Sequence, residues 1–266
     1  MLIGVDLVTE LVGSVLMSGN LTTDNPVSLM LIAAPESGKT SVVTDPDMEE
    51  RVVCSDATGG GICEELMTHP KLHHIIISDM VAVMAHKETT NKRTWSILNG
   101  LTDEGLQKIA LPGRAAYDFQ GRTAGIICCI PLEMVTDGRL WWQKSGFSSR
   151  FLPFCYEYSK QLLLNIKKDV IISGAYENRT NGTKPFILPE KAQTVKIDNA
   201  TSLKIQILAD QTARSLSEKG LRRGKQFRSL ARGHALYSKR KSVNEIDLAF
   251  LSRIHPFISY QTPQEL

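Results

Sequence analysis

Three consecutive residues of this 266-residue chain, Gly38, Lys39 and Thr40, have the types and spacing that handle phosphate. They end the stretch LMLIAAPESGKTSVV, residues 29–43, which is apolar until it breaks at Pro35. A buried strand that feeds a tight loop and then a helix surrounds phosphate oxygens with backbone amides. In such a loop, formed by Pro35, Glu36, Ser37, Gly38, Lys39, Thr40 and Ser41, Lys39 reaches the β- and γ-phosphates and Thr40 offers a hydroxyl to Mg²⁺. Ala33 stands where the usual pattern opens with glycine, and a ligand-free Gly-Lys-Thr turn is the plainer alternative.

The second chemical group is Asp79. It follows Ile75, Ile76 and Ile77, a β-branched run that reads as a buried strand. An acid at the carboxyl end of such a strand, about forty residues after the lysine, is where a nucleotide-triphosphatase holds Mg²⁺; an aspartate that caps the next turn is the alternative. The following position, where a glutamate would polarise the attacking water, is Met80. Glu104, after a helix patterned by Trp95, Leu98 and Leu101, is then the candidate general base, with an ordinary surface carboxylate as its other reading. Arg150 lies in a Gly/Ser-rich turn before a new apolar segment, either solvated or offered to a neighbouring subunit's γ-phosphate.

These groups need elements to position them. Residues 2–18 are spaced as a helix, and a polar break at 19–26 precedes the phosphate-loop strand. Asp45-Pro46 cuts the helix after the loop, and a strand follows at 51–54. Residues 106–130 read as a hairpin turning at Pro112-Gly113 and then an apolar strand, 124–130, with Cys128 and Cys129 in the core. Residues 170–200 read as irregular. From Ser202 the pattern is helical, and residues 220–241 carry Arg222, Arg223, Lys225, Arg228, Arg232, Lys239, Arg240 and Lys241 with no acid among them. Phe227, Leu230, Ala231 and His234 make the buried stripe of that helix, with His234 a satisfied core residue, and Ser242-x-x-Glu245 reads as a capping box for a last helix. The fold class is α/β: a three-layer sandwich around a mostly parallel sheet in residues 1–200, followed by a small C-terminal helical lid in 201–266.

Composition narrows the classes. The chain is 42% hydrophobic and 22% charged with a formal charge of +3, as in an ordinary globular protein, and the balance alone points neither to nor away from nucleic acid. The five cysteines form no C-x-x-C pair, which disfavours a zinc site or a disulfide framework. With no basic leader and no apolar run of membrane-spanning length, the expected location is the cytoplasm, with no membrane partner.

The order of phosphate loop, strand ending in Asp79, hairpin, Ser149-Arg150-Phe151 and basic helices resembles the AAA+ P-loop ATPases. It is most similar to the branch of minichromosome-maintenance and MoxR-like ATPases, and to small ATPases of phages and mobile elements, over roughly residues 25–255. The resemblance implies ATP and Mg²⁺ as cofactors, with Lys39, Thr40 and Asp79 on the nucleotide and metal. It implies Arg150 as an arginine finger acting in trans, Arg222 or Lys225 as the lid sensor of the γ-phosphate, and a homo-oligomer, a ring included. The polar sensor of the family falls near Ile130. On this reading the chain is a motor or loader acting on DNA, contacted through residues 222–241. A protein-remodelling ATPase, a nucleotide-gated scaffold with weak hydrolysis and a small-molecule kinase are the other expectations.

Overall fold

A computed structural model describes residues 6–44, 51–110, 116–135, 146–173 and 189–266. Strands β1 (Ser28–Ile32), β2 (Arg51–Cys54), β3 (His74–Ile77), β6 (Gly125–Ile130), β7 (Phe151–Glu157) and β8 (Gln264–Glu265) form a six-stranded sheet in the order β2-β3-β6-β1-β7-β8. Every neighbouring pair in it is parallel. Strands β4 (Leu106–Ile109) and β5 (Tyr117–Arg122) make a separate antiparallel hairpin. The expected α/β class with a parallel central sheet is therefore present. The Pro112-Gly113 turn and the Asp45-Pro46 break lie outside the described residues.

The central strands are buried along their whole length: all residues of β1, β3 and β6 are. That is the signature of a parallel sheet covered on both faces, and it explains why these segments are near-continuous Ile, Leu and Cys runs without alternation. Pro153 is tolerated in β7 because at that level the strand pairs only with β1, leaving its other edge free of ladder bonds.

The flanking helices are α1 (Asp6–Ser18), α2 (Lys39–Thr44), α3 (Gly59–Thr68), α4 (Met80–Met84), α5 (Glu88–Asn99), α6 (Lys160–Ser173), α7 (Asn199–Ser215), α8 (Leu221–Tyr237) and α9 (Glu245–Ile254). α6 occupies a stretch without a helical expectation, and it enters residues read as irregular. The basic helix α8 buries Phe227, Leu230, Ala231 and His234, the expected stripe. It lies against α1 at backbone distance: a Cβ on Gly233 would stand 2.2 Å from the Ser14 carbonyl oxygen. The cap of α9 is Asn244-x-x-Asp247, two residues beyond the Ser242-x-x-Glu245 expected, because Asp247 accepts from the Asn244 amide while Glu245 turns to Lys204.

The helices of 201–266 pack onto the rest of the chain. Ile205, Ala209, Phe227, Leu230 and Phe250 belong to the same hydrophobic cluster as the sheet. Beyond α9 the chain returns to the sheet: the Tyr260 hydroxyl donates to the Ser148 carbonyl, and β8 adds to β7. Arg223, fully buried, bonds Glu218, Gln226 and the Phe151 carbonyl, tying α8 to the start of β7.

Candidate functional site

In a parallel sheet all strand ends of one kind share an edge, so the order of elements decides which candidates can meet. β1 lies between β6 and β7; the chain leaves it toward β2 on one side and reaches β7 on the other only later. The carboxyl end of such a strand is the crevice where open α/β sheets take ligands. Residues 33–38 occupy that crevice.

The loop there turns tightly. Glu36 (φ 61°) and Gly38 (φ 73°) both adopt the left-handed conformation. Alternation of left- and right-handed residues turns successive amides toward one concavity. Within it Lys39 is buried, its ammonium donating to the Ala33 and Ala34 carbonyls at 2.6 Å each and to Ser37 Oγ at 3.1 Å. Burial lowers the Lys39 pKa, against the opposing pull of Cys129 and the Glu133 carboxylate. Pro35, Glu36, Thr40 and Ser41 are exposed along the loop and the first turn of α2.

Two hydroxyls that sequence reasoning did not find hold this loop from β7. Tyr158 donates to the Ser37 carbonyl at 2.6 Å and Tyr156 to the same oxygen at 3.2 Å. The signal was present as Tyr-x-Tyr at the end of a strand, but strand periodicity alone cannot say which loop the rings reach. Tyr158→Phe removes one of these bonds, and on the sequence expectation that the loop holds a nucleotide, affinity for it should weaken by about 0.5–1.5 kcal/mol. A titration with a fluorescent ATP analogue reads this; unchanged affinity with lowered thermal stability would reduce the pair to a brace of the fold.

Asp79 ends β3 at the same edge, exposed, with Oδ1 accepting from the Val81 amide at 2.9 Å as N-cap of α4. The capping alternative is thus realised through one carboxylate oxygen of an exposed side chain. The buried Cys129 thiol, pushed up to about 12 chiefly by burial, lies within electrostatic reach of both Lys39 and Asp79, so the two sequence candidates share one neighbourhood. Met80 is fully buried at the first position of α4. A glutamate there would point into the core.

No protein-family model and no curated protein sequence matches this chain. The site therefore has to be judged on its own geometry.

Glu104, Arg150, Arg222 and Lys225 are at the other edge. Arg150 immediately precedes β7, whose first residue pairs with Ser28, the first of β1. It donates to the Asn99 and Gly146 carbonyls at 3.2 and 2.8 Å and stands 3.8 Å from the exposed Glu104. Arg222 pairs with Asp103 at 2.6 Å, and with Lys225 it lines a hollow together with Asn25 and Arg150. A five-residue strand is about 16 Å long. Glu104 cannot then serve as base, nor Arg222 or Lys225 as sensor, for the phosphate loop of their own chain. A further acid on the Lys39 edge is Glu133, exposed in a helical stretch described over 132–135 just after β6.

The basic stretch 222–241 is acid-free only along the sequence. Arg222 meets Asp103, Arg223 meets Glu218, Arg232 meets Asp24 and Arg240 meets Asp247, and Arg228 donates to Gln206. Among the described residues, the stretch's Lys225, Lys239 and Lys241 make no ion pair. No helix among them is long and apolar enough to cross a membrane, and no three His, Cys, Asp or Glu side chains gather as a metal site.

Proposed function

We propose that the protein is a P-loop ATPase of the AAA+ kind, which binds ATP with Mg²⁺ at the carboxyl edge of β1 and hydrolyses it at contacts between copies of itself. The observation that carries this reading is the division of the charged groups between two edges. Lys39 is buried in a concave loop on one edge, and Arg150 and Arg222 stand on the opposite one. An arginine so far from its own loop can stabilise phosphate charge only in a second copy.

The residues present suit the cofactors. Thr40 and the exposed Asp79 carboxylate are hard oxygen donors of the sort Mg²⁺ takes, and nucleotide oxygens and water would complete its shell. Mg²⁺ would supply neutralisation of phosphate charge; the chain's own part is to hold the nucleotide and to present the Lys39 ammonium to its phosphates. Glu133 is a carboxylate near enough to act electrostatically on Lys39.

Within this activity, the pairing of Arg222, Arg223, Arg232 and Arg240 with acids of the same chain favours work on a protein partner or assembly over DNA held by residues 222–241. Cations already neutralised release few counterions from a nucleic-acid backbone. The test is ATP binding and hydrolysis by the wild type and Lys39→Ala, with and without DNA. Wild-type turnover that is lost in Lys39→Ala and indifferent to DNA is expected. Strong stimulation by DNA would return the motor reading, and absence of ATP binding would dismiss the ATPase.

A further inference from the structure

The hollow at the amino edge has a cavity volume of about 270 Å³, and its walls include Asp24, Asn25, Asp103, Arg150, Arg222 and Lys225. Its cations are not waiting free. Arg222 forks between the Asp103 carboxylate and Ser149 Oγ, both at 2.6 Å. Arg150 has the Glu104 carboxylate at 3.8 Å. Two adjacent acids thus sit on the two arginines that a neighbour's phosphates would need.

Those acids are on an unusual piece of backbone. Residues Gly100–Glu104 form a π-helical turn that closes α5. Such turns are rare, carry an extra residue per turn and recur at functional sites. The turn ends at Gly105, whose amide donates to the Gly100 carbonyl at 2.8 Å and whose φ is 80°. A Cβ on Gly105 would fall 2.1 Å from the Gly121 carbonyl oxygen in β5, so the turn is pressed directly onto the hairpin. The Ala124 amide, just before β6, donates to the Leu101 carbonyl, and Asn25 before β1 donates to that of Asp103. Any shift of Asp103 is therefore felt by the hairpin and by both central strands.

We propose that Asp103 and Glu104 are a latch on the arginines: in a single subunit they occupy the positions of phosphate oxygens, and the triphosphate held by a second copy displaces them. This rests on the ATPase reading above. A guanidinium fork accepts a carboxylate and a phosphate in the same bidentate manner, and the more highly charged phosphate competes successfully once it is brought close. The exchange moves no proton and makes no covalent bond. It frees the π turn, two residues before β4, so the β4–β5 hairpin of one copy responds to the nucleotide of the next.

The latch has a signature of sign: removing it should help. ATP hydrolysis by the full chain would be followed against protein concentration for the wild type, Glu104→Gln and Asp103→Asn/Glu104→Gln. The concentration giving half-maximal specific activity should fall about tenfold in the double variant, equivalent to about 1.4 kcal/mol. A smaller fall is expected in Glu104→Gln, whose exposed side chain can be neutralised without harm to the fold. Variants that need the same or a higher concentration than the wild type would overturn the latch while leaving the ATPase in place. A wild type that neither binds nor hydrolyses ATP would overturn the ATPase reading, and the latch with it.

Discussion

Hydrolysis is expected to fall about 10³-fold in Lys39→Ala alone and in Arg150→Ala alone, and to recover to roughly a quarter of the wild-type rate when the two inactive proteins are mixed in equal amounts. The two edges of the sheet set this outcome. A Lys39→Ala subunit has no competent loop but still presents Arg150. An Arg150→Ala subunit keeps its loop. Wherever the intact loop of one meets the intact arginine of the other, the contact is complete, and random exchange makes that happen at half of a half of the junctions. Arg150 on the same edge as Lys39 would have made each variant self-contained in its defect, with no recovery. A mixture that stays inactive, under conditions where the two proteins demonstrably co-assemble, would remove Arg150 from the catalytic contact. The same design serves for Arg222, whose position beside Arg150 predicts the same recovery.

What the sequence revealed and what it concealed divide along a physical line. β1, β3 and β6 were legible because strands buried on both faces must be continuous apolar runs. The phosphate loop was legible because its residue types are local requirements of one turn. The stripe Phe227, Leu230, Ala231 and His234 was legible because helix period fixes a face. The partners of charged groups were not. Residues 222–241 looked like an open basic surface, yet their acids come from Asp24, Asp103, Glu218 and Asp247, up to 208 positions away in the chain. Glu104 was assigned by the direction of a helix rather than by its edge, and α5 runs to the edge opposite Lys39. Tyr156 and Tyr158 were silent because only the register of β7 beside β1 brings their hydroxyls to Ser37. Topology, not residue type, made each of these sites.

The largest effect on stability is expected at the buried charge cluster that joins α1, α8 and α9. His234 stacks on Phe250 with ring centroids 4.1 Å apart. Its Nδ1 is 2.6 Å from Asp247 and its Nε2 is 3.1 Å from Glu10. Both partners are carboxylates, an arrangement that favours a proton on each ring nitrogen. Burial acts to lower the His234 pKa, but the hydrogen bonds and charges of Asp247 and Glu10 outweigh it and the net shift is upward. Burial likewise raises Asp247, and Arg240 and His234 more than reverse it. Arg253 completes the cluster at 3.0 Å from Glu10, and Tyr237, its phenol held high chiefly by burial, also faces that carboxylate.

The signs follow. His234 contributes fully below its unfolded pKa of about 6.5, and that contribution is lost as pH rises through the higher folded value. Glu10 and Asp247, both lowered, contribute above their unfolded values of about 4 and lose it as pH falls. Stability should therefore decline on the alkaline side of neutrality as well as in acid. Asp247→Asn strips Arg240 and His234 of their shared countercharge and should cost about 3–5 kcal/mol, the usual result of breaking a buried pair from one side. Urea unfolding midpoints measured from about pH 6 to about pH 9 check both statements. The wild type should weaken across that range, while Asp247→Asn, already much weaker, should show a flatter profile because the histidine has lost its strongest reason to stay protonated. Equal slopes in the two proteins would mean that His234 does not hold its second proton in the folded chain, and that the three helices are joined by packing alone.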